Sequence, residues 1–178
     1  MVANEGPTVQ QGRRSMVANN RVFREGVSAG LIGAMAIALW FGIIDAIQGH
    51  FFATPIMLGT SIASLVLKGA VPSAAGAFLG YTVFHFALLI IIGYGFSLVV
   101  NTAERVPSAF IGFGMLFVAF EVGWIGWTMV LAQGFGQLTW LQVFLANLVA
   151  SISMGLYMWR QHPTLPMRVT AEMAGISE

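Results

Sequence analysis

The chain has no cysteine. That excludes a disulfide scaffold and any cysteine-ligated zinc or iron–sulfur centre. Charge is nearly as scarce, with 8% of the 178 residues ionic against about one quarter in an ordinary globular chain. So few charges cannot cover a water-facing surface. The net charge of +1 comes from scattered residues and forms no basic patch, which excludes nucleic acid as a partner. Only three histidines are present, with no His-Glu-x-x-His zinc motif and no Glu-x-x-His di-iron pair.

What the chain has in quantity is apolar surface: 57% of residues are hydrophobic and the mean hydropathy is +0.81. The relevant unit is therefore the membrane span of about 20 residues. Four spans are expected, over about 27–48, 80–100, 108–133 and 140–159. Trp140 and Trp159 are separated by about 28 Å of helical rise, which sets both rings at headgroup level. Of the eight basic residues, Arg13, Arg14, Arg21, Arg24, Arg105, Arg160 and Arg168 fall on one side and Lys68 alone on the other. Seven against one places both termini in the cytoplasm. The sequence thus reads as an all-α polytopic membrane protein. A polar, mobile leader (1–24) precedes a four-helix transmembrane domain (25–160), and a mobile tail (161–178) follows. The repeat of Met1-Val2-Ala3-Asn4 at Met16-Val17-Ala18-Asn19 admits an alternative start at Met16.

The first outer loop is too apolar for an ordinary connection. Thr54 fits an N-cap, Pro55 the first helical position and Gly69 a C-terminal cap, with Leu58, Ile62, Leu65 and Val66 on one face. A short amphipathic helix over about 55–68 is expected, flat on the outer surface or partly dipped into it, as a lid on the bundle or, alternatively, a substrate gate or partner-docking element.

Helices in lipid associate through small residues and a few polar contacts. In span one Gly26, Gly30, Ala34, Ala38, Gly42 and Ala46 recur every four residues. Span four offers Asn147, Ser151 and Gly155, with Ala146 and Ala150 beside them. These two stripes are expected to face each other or a second protomer.

Polar groups inside the membrane are costly without partners. Asp45, His85, Glu121 and Asn147 all fall in the outer half of the expected bundle, and His50 stands at its mouth. The leading reading is a structural clamp in which Glu121 bonds His85 or Asn147. The sharper reading is a proton, cation or ligand site between Glu121 and His85, with Asp45 and His50 at its entrance. A bis-histidine haem has only His50 and His85 as candidates, with His50 in a loop. His162, in the tail, is expected to be solvated. No cofactor and no metal are expected.

Arg24-Glu25-Gly26, Trp40 with Asp45, Thr54-Pro55 with Leu58-Gly59, and Gly80-Tyr81-Thr82 before His85 resemble a group of small bacterial membrane proteins. Phe120-Glu121-Val122, Met154-Gly155, Trp159-Arg160 and His162-Pro163 fit the same group. The resemblance covers Arg24 to Pro163 and implies a multi-pass, four-helix protein of the bacterial inner membrane, with no activity attached. The expected function is non-enzymatic: an accessory or structural subunit of a membrane complex, or a self-associating four-helix unit. Its partners are then the lipid bilayer and a membrane protein or a second copy. The alternative is a small proton- or cation-coupled transporter using Glu121 and His85, and a less favoured one is a haem- or quinone-binding electron-transfer subunit.

Overall fold

A computed structural model describes residues 7–66, 72–104, 106, 140–164, 167, 170–171 and 174. These residues are all-α, in four helices: α1 (Pro7–Ile47), α2 (Ala53–Val66), α3 (Ala74–Ala103) and α4 (Trp140–Gln161). Asn19–Ile47 of α1, Ala74–Ala103 and Leu141–Gln161 are long and apolar enough to cross a membrane. Of their most apolar stretches, only 28%, 28% and 22% is buried inside the protein. Leu39, Ile43, Val83, Ile91, Ile152 and Leu156 all face outward. So much outward apolar surface requires lipid as its neighbour, and the chain is a membrane protein. The expected third span, 108–133, with Glu121, lies outside the described residues, as does the expected cap Gly69.

The helices begin and end differently from the expected spans. α1 starts at Pro7, so the expected leader, from Pro7 on, and the first span are one continuous helix. Its 41 residues extend about 60 Å, twice the hydrocarbon thickness. α3 starts at Ala74 rather than Gly80 because Ser73, in extended backbone, caps it with Oγ accepting from Gly76 N at 3.2 Å. At the other end of the chain, Gln161 still belongs to α4, and His162 N donates to Met158 O at 2.9 Å. The tail therefore starts anchored.

α1 ends in a Schellman motif: His50 N donates to Asp45 O and Gly49 N to Ala46 O, with Gly49 at φ +74°. Only glycine takes that backbone without strain. Phe52 also adopts a positive φ, 63°, and its ring packs edge-on against Phe78 of α3 at 5.2 Å. α2 follows at Ala53, two residues before the expected start, so Thr54 lies in the first turn rather than capping it. Leu58 is buried but Val66 is 71% exposed, so the expected apolar face of α2 does not run its full length. α2 lies against α3, where a Cβ on Gly59 would stand 2.6 Å from the carbonyl carbon of Ala77.

α1 is the central helix, packed against α3 and α4, which touch each other little. Its contact with α3 is glycine on glycine. A Cβ on Gly26 would lie 2.5 Å from Tyr94 Cα, one on Gly30 2.5 Å from Ile90 Cα, and one on Gly93 2.6 Å from Gly30 Cα. The expectation for this stripe is the last helix or a second protomer; among the described residues its Gly26 and Gly30 pack on α3. Only its first half is packed: Gly26, Gly30 and Ala34 are buried, whereas Ala38, Gly42 and Ala46 are exposed, and nothing lies within 4 Å of a Cβ on Gly42. Beyond Ala34 the packed side of α1 is carried by the neighbouring row instead. The row one residue earlier, Glu25, Ala29, Gly33, Ile37, Phe41 and Asp45, is buried throughout. α4 behaves alike. Ala146, Ala150, Met154 and Met158 form its buried row, while Asn147, Ser151 and Gly155 are half-buried. Met154 Sδ reaches the α1 backbone, 2.6 Å from where a Cβ on Gly33 would be.

Candidate functional site

The polar side chains gather at three levels along the bundle. At the C-terminal end of the buried α1 row, Asp45 is 2% exposed. Its Oδ2 accepts from Thr54 N at 2.9 Å and its Oδ1 from Thr54 Oγ1 at 2.6 Å. The first turn of a helix has amide groups without partners, and a carboxylate there also meets the positive end of the helix dipole. Asp45 thus caps α2 from α1, the role that the sequence pattern assigns to Thr54 itself. The Schellman turn at Gly49 reverses the chain tightly enough to permit it.

The middle level belongs to His85. Because α3 starts early, His85 lies about 16 Å along it rather than the expected 8 Å. Its Nε2 is 3.3 Å from Ala34 O, and a carbonyl only accepts, so Nε2 carries the hydrogen. The ring stacks on Tyr81 at 5.5 Å, with an interplanar angle of 21°, and meets Phe86 edge-on at 5.9 Å. The histidine pins α3 to the α1 backbone in a largely aromatic setting.

The level at the opposite end, near Glu25 of α1, holds the densest group, and the sequence reading misplaces it. His162 is 1% exposed rather than solvated. Its Nδ1 is 2.6 Å from Glu104 Oε1, just past α3, and its Nε2 is 3.1 Å from Glu25 Oε2 on α1. Arg21 Nε donates to the other Glu25 oxygen at 2.7 Å, and Arg21 Nη2 to Gln161 O at 3.3 Å. As an imidazolium His162 donates to both carboxylates, and one ring ties α1, α3 and α4 together. The two nitrogens point to opposite sides of the ring, so the carboxylates do not converge on one point. Among the described residues no three acidic or histidine side chains are placed to hold a metal ion. A legible signal existed: Glu25, Glu104 and His162 each flank a span at the end that the basic residues mark, and His162 continues the buried row Ala146, Ala150, Met154, Met158.

No hydrogen bond joins the side chains of Asp45, His50 and His85. His50 is exposed and is linked to Asp45 only through backbone. Asn147 is half-buried on α4, and Glu121 lies outside the described residues. Among those residues one buried side-chain polar atom, Trp40 Nε1, has no hydrogen-bond partner.

One further pattern needs its context. Gly26-Val27-Ser28-Ala29-Gly30 has Gly-x-Ser-x-Gly spacing, which in hydrolases marks a strained strand-to-helix turn. Here it lies within α1, and its glycines serve the contact with α3. Beside it a cavity of about 420 Å³ opens between Asn20, Arg21, Arg24, Glu25 and Ser28 of α1 and Tyr157 and Gln161 of α4.

The chain matches no family model, no curated protein and no solved structure.

Proposed function

We propose that this chain is a non-enzymatic protein of the bacterial inner membrane, an accessory or structural subunit of a membrane complex or a self-associating unit. Four spans with both termini cytoplasmic complete the reading. The seven-to-one distribution of basic residues and the apolar run over 108–133 support that topology. The resemblance to four-helix bacterial membrane proteins points the same way. One observation carries the functional reading: the buried acids and histidines of the described residues, Glu25, Asp45, His85 and His162, are each engaged by another part of the chain. Groups used in this way fasten helices.

The test is purification of the full chain in a mild detergent, followed by measurement of its mass and of the proteins that accompany it. A stoichiometric membrane-protein companion, or a discrete homo-oligomer, is expected. A lone monomer without companions contradicts the reading.

A further inference from the structure

The cavity between α1 and α4 has a chemistry that the helix clamps do not use. Its acid, Glu25, is ion-paired through Oε1 with Arg21 and has its other oxygen against His162 Nε2. Arg24 also lines it, is exposed, and makes no hydrogen bond or ion pair with the described residues. Asn20, Ser28 and Tyr157 bring further hydrogen-bonding groups without such partners. With Glu25 offset, the opening presents a guanidinium and several neutral donors, which favours an anion.

The position along the helices narrows the class of anion. Asn20 to Ser28 lie in the first turns of the α1 segment that starts at Asn19, and Tyr157 and Gln161 in the last turns of the segment that ends at Gln161. The cavity therefore stands at the level of lipid headgroups, between two membrane-crossing helices. We propose that it is a phosphate-binding site that holds the headgroup of an anionic phospholipid, with Arg24 as its principal charge partner. Basic pockets between transmembrane helices suit this chemistry, because the lipid phosphate arrives at the right depth and the acyl chains stay in the bilayer. The site is independent of the accessory-subunit reading.

Native mass spectrometry of the full chain tests it, with phosphatidylglycerol and phosphatidylcholine of identical acyl chains offered in equal amounts. One phosphatidylglycerol per chain should be retained in preference to phosphatidylcholine. Arg24→Gln should lower that retention about fivefold, the effect of one basic residue at an anionic surface. Arg24→Lys should restore much of it, and Arg160→Gln, outside the cavity, should leave it unchanged. If Arg24→Gln does not elute and fold like the parent, Ser28→Phe takes its place, since its ring fills the cavity and should exclude the headgroup. Inorganic phosphate that binds saturably, displaces the lipid and depends on Arg24 would assign the same site to soluble phosphates. Equal retention of the two lipids, or retention insensitive to both Arg24→Gln and Ser28→Phe, overturns the proposal.

Discussion

Both ring nitrogens of His162 meet carboxylates, and this makes it the most consequential single side chain among the described residues. Replacing it with leucine leaves Glu25, whose side chain is 8% exposed, with Arg21 alone, and costs about 3 kcal/mol, the scale for breaking a buried ion pair. Glu104→Gln should cost less, because the Glu104 side chain is 34% exposed and water replaces part of the lost contact. Thermal unfolding in detergent measures both, and equal losses would show that burial does not set the order. The sequence makes Asp45 legible as a buried acid needing a partner, but not Thr54 as that partner. The pairing depends on a turn with two positive-φ residues, Gly49 and Phe52, and nothing in local composition forces a phenylalanine into that backbone. His162 is hidden for a different reason. A proline-containing tail invites the assumption of solvation, whereas the four-residue row of α4 runs one step further than its apolar members.

At the scale of elements, the apolar runs announce that α1, α3 and α4 exist, because a membrane-length hydrophobic segment has few alternatives to a helix, but α1 begins twenty residues before its apolar run and α3 six. Which face of each helix is buried is less legible. A strict repeat of small residues marks a smooth path, yet the burial of α1 follows the adjoining row, and only Gly26, Gly30 and Ala34 belong to both the smooth path and the packed region. Substitution separates the two halves of the stripe. Gly93→Ala places a methyl group against the Gly30 backbone, which cannot yield as a flexible side chain would, and should destabilise by about 1–3 kcal/mol. Gly42→Ala enters open space and should be neutral, or stabilising by up to about 1 kcal/mol through helix propensity. The comparison is made by detergent melting, and a Gly42→Ala protein that melts lower than Gly93→Ala would place the packed surface at the wrong end of α1.

At the scale of the whole molecule, two membrane-length helices, α3 and α4, pack on a third, α1, and the described helices are fastened by Glu25–His162–Glu104 at one end, His85 in the middle and Asp45–Thr54, which ties in α2, at the other. The absence of native cysteine makes the topology simple to probe. Cysteine at the exposed Val66 should react with an impermeant thiol reagent added to spheroplasts, while cysteine at Thr164 should react only after lysis. The opposite pattern would invert the protein. The central claim is that the buried polar groups join helices rather than conduct ions, and reconstitution tests it most directly. Proteoliposomes loaded with a pH-sensitive dye and given a proton gradient, and separately a potassium gradient, should leak no faster than empty liposomes. Flux that depends on the protein and disappears in Glu121→Gln or His85→Gln would contradict the account.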